Sequence, residues 1–297
     1  MLINRIVDFC DKEYKAHAEN CECDGCGRRC SRSGKCKDCL EEVHYPSKYP
    51  HGKKDYDCPN LINFYMCDYT YKYASEMLYL IRQSDALRKL KYYHILSIGC
   101  GGCPDLMAFE TYLQEENETK TLKYYGLDKN PLWEPVHNEI IRYGADNNID
   151  AKYRYVDAID HCKRYKIRYA NVIVIQYLIS HLYNTKQIDK LQSFYDDLIQ
   201  NIIAHRDKKK PLVILINDVN SNNRGRDYFV DLCKKLKEAG LHGVYQQYYF
   251  DYRIQNEHQR YGVRHSSNSV LYSIPNCVAS YEPWRVCSSA QLLIEVE

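Results

Sequence analysis

The chain has 297 residues, of which 45% are hydrophobic and 27% are charged. This composition is typical of a soluble globular protein and excludes a disordered or fibrous chain. The net charge of +2 is too small to indicate a polyanionic partner, so a nucleic-acid surface would have to come from local clusters of lysine and arginine. The first residues lack the apolar core of a signal peptide, and no run is long and apolar enough to cross a membrane. We therefore expect a cytoplasmic protein that does not bind membranes.

The cysteines are unevenly distributed along the chain. Nine of the 15 cysteines fall in the first 67 residues. Because cytoplasmic thiols stay reduced, clustered cysteines there are expected to hold metal or to do chemistry, not to form disulfides. The length suits one full α/β domain with a small accessory module. We predict a Cys-rich module at residues 1–60, a helical connector at 61–90 and a larger domain at 91–297.

The densest cysteine segment reads CECDGCGRRCSRSGKCKDCLEEVH. Zinc prefers four sulfur or nitrogen ligands, and pairs separated by one to four residues allow a tight turn to present two ligands together. The segment has little apolar material, so metal bonds would have to supply its folding free energy. We predict a module that binds two zinc ions, with its ligands drawn from Cys21, Cys23, Cys26, Cys30, Cys36, Cys39, His44 and Cys58.

Two other interpretations of the cysteine segment remain open. An iron-sulfur cluster also takes four cysteines, although its usual spacing fits less well, and the cysteines could also simply be buried. The basic residues between Gly25 and Lys37 could contact phosphates, or they could form a solvated rim or a protein-docking face.

Residues 61–90 carry apolar and aromatic side chains at helical spacing, with charges between them. This pattern predicts one or two amphipathic helices. Tyr65, Tyr69, Tyr73 and Leu80 are expected to pack against the next domain, although the tyrosines could also form a platform for stacking bases.

From residue 91 onward, short apolar runs alternate with longer amphipathic ones. The alternation predicts a mostly parallel sheet with helices on both faces. Helices are predicted near 133–143, 188–205 and 226–239, and the last two strands near 243–252 and 290–296. In such a sheet, ligands bind beyond the carboxyl ends of the strands.

The segment HILSIGCGGCPDL runs from an apolar strand into three glycines and then into a helix. It resembles the first motif of class I S-adenosylmethionine (SAM)-dependent methyltransferases, in which glycines let the backbone turn sharply and approach the cofactor. One departure is Cys103, which occupies the third position of the usual Gly-x-Gly-x-Gly spacing. The resemblance covers roughly residues 91–297 and implies a Rossmann-like methyltransferase fold, whose antiparallel extension would be the last pair of strands.

The resemblance also implies functional residues. Asp128, after the second strand, would bind the ribose hydroxyls, and Asp157, after the third, would receive the adenine amino group. The fourth strand ends in QYLISHL, where this family lines the methyl-transfer site. The predicted cofactor-binding residues are Gly99, Cys100, Gly101, Asp128, Asp157 and Gln176, and the predicted catalytic residues are Gln176, Tyr177 and His181. The thiols of Cys100 and Cys103 are expected to pack without a redox role.

Each of these residues also has a structural explanation. Asp128 could cap the following helix, Asp157 could belong to a surface turn, and His181 could be a hydrogen-bonded structural histidine. An NAD-dependent oxidoreductase would carry a similar glycine turn, and a non-catalytic protein that binds zinc or senses SAM could retain the same fold.

The identity of the methyl acceptor is less constrained by the sequence. The fourth-strand motif lacks the Asn-Pro-Pro-aromatic pattern of amino methyltransferases and the Pro-Cys pair of cytosine C5 enzymes. A polar loop after the fifth strand either recognises the acceptor or is an ordinary surface loop. Its polar residues are Asn217, Asp218, Asn220, Asn222, Asn223, Arg224 and Arg226. With the basic cysteine segment, this loop favours nucleic acid, and RNA in particular, over a protein or a small molecule.

Overall fold

The computed structural model describes residues 1–17, 36–221, 224–251 and 262–296, and the backbone of 22–23 and 28–29. Its α-helices are α1 (Leu2–His17), α2 (Cys36–His44), α3 (Pro59–Ile81), α4 (Asp85–Lys89), α5 (Pro104–Glu115), α6 (Glu134–Ala145), α7 (Ala158–Arg164), α8 (Leu178–Asn184), α9 (Leu191–Asp197) and α10 (Phe229–Glu238). Its strands are β1 (Glu22–Cys23), β2 (Arg28–Arg29), β3 (Tyr93–Ile98), β4 (Leu122–Asp128), β5 (Ile149–Tyr155), β6 (Val172–Gln176), β7 (Leu212–Val219), β8 (Gly243–Tyr249), β9 (Val263–Arg264) and β10 (Ser289–Val296).

The main sheet has eight strands in the order β5-β4-β3-β6-β7-β10-β8-β9. Strands β5, β4, β3, β6 and β7 are parallel to one another, whereas β10 runs antiparallel to both β7 and β8. The predicted Rossmann-like sheet and its antiparallel extension are therefore confirmed. Strand β4 lies on one side of β3, and β6 lies on the other side. This change of direction in the strand order opens a crevice at the carboxyl end of β3.

Alternation along the central strands divides the core into two layers. In β3, Tyr93 and Ile95 contact one layer, while Leu96 and Ile98 contact the other. Because successive side chains of a strand point to opposite faces, a strand that is apolar at every position is buried on both sides. The first layer contains α1, α3, α5 and α6, and the second contains α7, α8, α9 and α10.

Helices α1 and α3 are part of the main core. Leu2, Ile3, Ile6 and Cys10 of α1 are completely buried in the cluster that also contains β3. The predicted boundaries at residues 60 and 90 therefore do not coincide with a break in the core. Helix α3, predicted as a connector, is buried along most of its length.

The segment at residues 188–205, predicted as one helix, is irregular in the structure. The predicted helix at 188–205 is a run of short helical segments, because α9 continues as a π-helical turn at Leu198–Ile202 and a 3₁₀ turn at Ile203–His205. None of the helices in the described ranges is long and apolar enough to cross a bilayer.

Candidate active site

The loop after β3 has an unusual backbone conformation. Gly99, Gly101 and Cys103 all have positive φ, at 73°, 47° and 60°. Glycine adopts this left-handed region without steric cost, whereas a cysteine does so only where its surroundings hold it. The third position of the glycine motif therefore keeps the glycine-like conformation although its residue is a cysteine.

The carboxylate of Asp128 holds this loop from the neighbouring strand. Its Oδ2 accepts a hydrogen bond from the backbone N–H of Gly101 at 2.9 Å, and its Oδ1 accepts one from the N–H of Asn130 at 2.9 Å. Burial raises the pKa of Asp128, while the two N–H donors act in the opposite direction. Each oxygen retains a lone pair for a hydroxyl donor.

A cavity opens at the carboxyl ends of β3, β4 and β6. The predicted residues that line it are Gly99, Gly101, Asp128, Asp157, Gln176, Tyr177 and His181. A Cβ atom at Gly99 would lie 3.3 Å from Leu178, and one at Gly101 would lie 3.6 Å from Trp133. Because Leu178 and Trp133 also line the cavity, side chains at the two glycines would enter it. We call this space the glycine-loop cavity.

Asp157 has two roles in the structure. It begins α7, where its Oδ1 accepts hydrogen bonds from the N–H groups of Ile159 and Asp160 at 2.9 and 3.1 Å. It also lines the glycine-loop cavity beside Ile159. The helix cap predicted as an alternative for Asp128 is thus found at Asp157, and the cap leaves the second oxygen available to a ligand.

Gln176 and Tyr177 follow directly from β6. The Gln176 Nε2 donates to the carbonyl of Tyr73 at 2.9 Å, but its buried Oε1 has no hydrogen-bond partner among the described residues. A buried acceptor without a partner is costly and indicates a missing donor. Tyr177 has a φ of 56°, which is strained for a bulky residue and is typical of functional sites.

His181 is the histidine that reaches the cavity. Its ring makes no hydrogen bond within the described ranges, in contrast to the structural histidine that we considered as an alternative. Burial lowers the pKa of His181, and the charge of Lys129 lowers it further, while Asp55 raises it. A histidine with a lowered pKa is neutral at pH 7 and can accept a proton.

The segment between α2 and α3 forms one wall of the glycine-loop cavity. Asp55 and Tyr56 line the cavity, and both are tied to the loop after β4. Lys129 Nζ lies 2.9 Å from Asp55 Oδ2, and Asn130 Nδ2 donates to the carbonyl of Tyr56 at 2.7 Å. This wall was not predicted, because no local pattern links residues 55 and 56 to residues 129 and 130.

A second cavity lies beside the first. Its lining is mostly aromatic and includes Tyr56, Tyr65, Tyr69, Tyr73, Tyr177 and Trp284, together with His44, Lys72, His181 and Arg224. Tyr56, Tyr65, Tyr177 and His181 line both cavities. We call this second space the aromatic cavity. Tyr65, Tyr69 and Tyr73 were predicted to pack against the next domain. The three tyrosines and Leu80 pack in or against the core cluster that contains β3, as predicted, and the tyrosines also line the aromatic cavity.

A buried ion pair supports the aromatic cavity. Lys72 and Glu76 of α3 have side chains that are 7% and 0% exposed, and Lys72 Nζ lies 3.3 Å from Glu76 Oε1. Glu76 also accepts from the N–H of Ser288 at 2.8 Å, from the Tyr177 hydroxyl at 2.6 Å and from Asn217 Nδ2 at 3.1 Å. Lys72 and Glu76 were not predicted from the sequence, because their further partners Ser288, Tyr177 and Asn217 are distant along the chain.

The predicted acceptor-binding loop is largely structural. Asn217 and Asp218 belong to β7 and are fully buried, and Asp218 accepts from the N–H groups of Ile179 and Ser180. Asn220 accepts a hydrogen bond from Arg226, which is itself buried. Asn222 and Asn223 lie outside the described residues. Among the described members of the predicted set, Arg224 alone lines the aromatic cavity.

Cys100 differs from the other predicted cofactor-binding residues in its position. Its thiol is buried, as expected of a packing residue, and Cys100 does not line the glycine-loop cavity. Its role in cofactor binding stays a prediction. Burial raises the pKa of this thiol. Cys100, Cys103 and His137 place ligand atoms within 4.8 Å of one another, and they are the one such group among the described residues. Both His137 nitrogens are already hydrogen-bonded, to the Gly101 carbonyl at 2.8 Å and the Tyr155 hydroxyl at 3.0 Å.

The seven cysteines among the predicted zinc ligands fall into three groups. Cys21, Cys23, Cys26 and Cys30 have side chains outside the described residues. Cys36 and Cys39 lie one turn apart on α2 and are partly buried against the core, and Cys58 is buried in the core before α3.

Both ring nitrogens of His44 have tyrosine partners. Its Nδ1 and Nε2 are hydrogen-bonded to the hydroxyls of Tyr69 and Tyr56 at 3.2 and 2.8 Å. Burial lowers the pKa of His44 to about 4, so the ring is neutral. These contacts do not support His44 as a zinc ligand, and that role stays a prediction.

No family model matches the sequence, and no curated protein matches it either. Among solved structures, the chain resembles the plantazolicin methyltransferase BpumL in complex with S-adenosylhomocysteine (SAH). The identity is 15%, the TM-score is 0.42, and the match covers 88% of this chain and 97% of that chain.

Two further solved structures resemble the chain at a similar distance. One is a putative class I SAM-dependent methyltransferase from Listeria monocytogenes, at 12% identity and a TM-score of 0.43, covering 88% of this chain and 68% of that chain. The other is the magnesium protoporphyrin IX methyltransferase ChlM from Synechocystis PCC 6803 with bound SAM, at 10% identity and a TM-score of 0.42, covering 88% and 97%. These likenesses are too distant to assign a function to this chain.

Proposed function

We propose that the chain is a SAM-dependent methyltransferase whose cofactor binds in the glycine-loop cavity. One observation carries the proposal: the two left-handed glycines, the carboxylate of Asp128 and the Gln176 Oε1, which has no partner among the described residues, all meet at one cavity. The sheet order supports it, since an antiparallel strand lies between β7 and β8. A dinucleotide-binding sheet has no such insertion.

The residues of the cavity fit the parts of SAM. The Asp128 carboxylate keeps lone pairs for two ribose hydroxyls. The Asp157 oxygen that does not cap α7 would accept a hydrogen bond from the adenine amino group. The glycines leave space for the backbone to approach the ligand closely. Gln176 Oε1 would accept an N–H of the cofactor's ammonium group, which would satisfy its buried lone pairs.

The protein itself would have to align the methyl acceptor and remove its proton. SAM supplies an activated methyl group, so the protein mainly has to orient the acceptor and take up its proton. His181 is neutral, has no ring hydrogen bond within the described ranges and lines both cavities. We assign it the role of general base. Tyr177, held by Lys72 and Glu76, fixes the wall between the two cavities.

The predicted RNA acceptor retains only part of its support. Asn217 and Asp218 are engaged by buried partners, and the basic segment between 25 and 37 lies almost entirely outside the described residues. Arg224 remains as a contact to the acceptor. RNA therefore stays a prediction, and so does a protein acceptor.

Substitution of Asp128 by alanine tests the cofactor site. Loss of a carboxylate that accepts two hydroxyl donors should weaken SAH binding by about 10²- to 10⁴-fold, since hydrogen bonds to charged groups contribute about 1.5–3 kcal/mol each. The thermal shift caused by SAH should then disappear at concentrations that shift the wild type. Asp128→Asn keeps an acceptor for the Gly101 N–H and should be intermediate.

The control for this substitution is Asp150→Ala, at an exposed carboxylate on β5. It should leave the SAH shift unchanged. Wild-type protein that is stabilised by NAD and not by SAH would favour an oxidoreductase instead. Binding of SAM without methyl transfer to RNA, protein or small molecules would favour a scaffold or a SAM sensor.

We also propose that the cysteines between residues 21 and 39 bind zinc, on the strength of their spacing. Elemental analysis of the chain purified without chelators should find one or two zinc ions per molecule. Joint replacement of Cys21, Cys23, Cys26 and Cys30 by serine should lower this content, whereas Cys277→Ser, at an exposed cysteine, should not. Iron with visible charge-transfer absorption, or no metal at all, would contradict the assignment.

A further inference from the structure

The aromatic cavity adjoins the proposed cofactor site. It shares Tyr56, Tyr65, Tyr177 and His181 with the glycine-loop cavity, so a ligand in one lies next to a ligand in the other. Lys72 lines only the aromatic cavity, whereas His181 lines both. An acceptor with one end at Lys72 therefore has its other end towards His181 and the cofactor.

The walls of the aromatic cavity suit a planar ring. Tyr73 and Tyr177 lie with ring centroids 4.2 Å apart, and Tyr69 lies 6.0 Å from Trp284. Aromatic faces and edges favour another ring by offset stacking or edge-to-face contact. The cavity has a volume of about 230 Å³, and an engineered cavity of about 150 Å³ binds benzene. One ring with substituents, or two fused rings, would fit.

The charged side chains that line the aromatic cavity favour an anionic ligand. Lys72 and Arg224 both line it, and none of its described lining residues is acidic. The Lys72 ammonium lies over the rings of Tyr73, Tyr177 and Trp284 at 4.9, 5.4 and 5.6 Å. A lysine has three N–H donors, and the described partners of Lys72 are the Tyr177 hydroxyl and Glu76 Oε1. The third donor is available to a ligand.

Glu76 is the counter-ion of Lys72, so the net positive charge at the aromatic cavity comes from Arg224. Its oxygens are engaged by Ser288, Tyr177 and Asn217 as well as by Lys72, and the residue does not line the cavity. The carboxylate thus holds Lys72 in place from behind, while the ammonium faces the open space.

We propose that the aromatic cavity binds a small aromatic acid that carries a hydroxyl group, with its carboxylate at Lys72 and Arg224 and its hydroxyl at His181. This inference rests on the proposed methyltransferase function. In the reaction, the hydroxyl oxygen forms a bond to the methyl carbon as the carbon–sulfur bond of the sulfonium breaks. The hydroxyl proton passes to the ring of His181, and the products are a methyl ether and SAH.

A paired set of ligands tests the proposal on the wild-type chain with saturating SAH. The set contains hydroxylated benzoic, cinnamic and indole-carboxylic acids, each matched with its neutral carboxamide, and binding is measured by calorimetry. At least one acid should bind, and it should bind about 10- to 100-fold more tightly than its amide, as expected for a charge-assisted hydrogen bond. Equal affinity for every pair, or no binding by any acid, would overturn the proposal.

Two variants and a competition experiment with RNA test the proposal further. Lys72→Met and Arg224→Ala should each reduce the difference between acid and amide, and a retained SAH shift shows that the variant is folded. A single-stranded RNA oligonucleotide that displaces the acid and binds more tightly would overturn the proposal in favour of a nucleic-acid acceptor. Acid binding without any SAH binding would leave the cavity's ligand class standing and would reject the methyltransferase function.

Discussion

Replacement of His181 by alanine should lower the turnover number for methyl transfer by about 10²- to 10⁴-fold, the usual contribution of a general base. The assay uses radiolabelled SAM and the aromatic acid that binds most tightly in the ligand comparison. His181 lines both cavities, and its ring has no hydrogen bond within the described ranges, so its loss removes a proton acceptor without breaking a structural contact. The affinity for SAH should change much less than the turnover number.

The pH dependence of methyl-transfer activity distinguishes a general base at His181 from a structural histidine. A base acts only in its neutral form, so activity should fall as the pH drops through the pKa of His181. Burial and the charge of Lys129 lower that pKa, so the midpoint of the fall should lie below the ordinary histidine value of about 6.5. In the alanine variant the remaining activity should lack this acid limb.

His242→Ala is the matched control, because His242 is exposed on the surface. It should retain both the rate and the acid limb. If the His181→Ala enzyme turned over at the wild-type rate with the same pH profile, the assignment of His181 as general base would be incorrect.

Replacement of Glu76 by alanine should lower the free energy of unfolding by about 3–5 kcal/mol, the range found when one partner of a buried ion pair is removed. The loss is large because Lys72 would stay buried without its counter-ion, and Ser288, Tyr177 and Asn217 would each lose an acceptor. Urea denaturation followed by circular dichroism measures the change.

An exposed ion pair provides the comparison. Arg82 and Glu115 lie 2.7 Å apart with side chains that are 37% and 39% exposed. Glu115→Ala should cost about 0–1 kcal/mol, as exposed pairs do. The double variant Lys72→Met/Glu76→Leu should be less destabilised than Glu76→Ala, because no unpaired charge remains. Similar losses for Glu76→Ala and Glu115→Ala would show that the buried network does not stabilise the fold.

Features that depend on neighbouring residues were predicted well from the sequence. The apolar run before Gly99 and the helix after it define β3, the loop and α5, and Asp128 follows its own strand directly. The antiparallel extension of the sheet by its last strands followed from the family resemblance. The cavity residues predicted from these local patterns meet at one place.

Features that depend on distant contacts were not predicted. Lys72 and Glu76 carry charges at helical spacing, which is typical of a solvated face, and only their contacts with Tyr177, Asn217 and Ser288 make them buried. His44 follows a cysteine segment and was predicted as a zinc ligand, but the hydrogen bonds of its two nitrogens to Tyr56 and Tyr69 were not predicted. In each case the deciding partner is brought in by the fold and not by spacing in the sequence.

The structure of the chain in complex with SAH tests the central claim most directly. The predicted result is an adenosyl group between the glycine loop and the carboxylates of Asp128 and Asp157, with the sulfur facing Gln176 and Tyr177. An SAH molecule bound elsewhere, or a glycine-loop cavity filled by the protein's own side chains at saturating SAH, would contradict the proposed function.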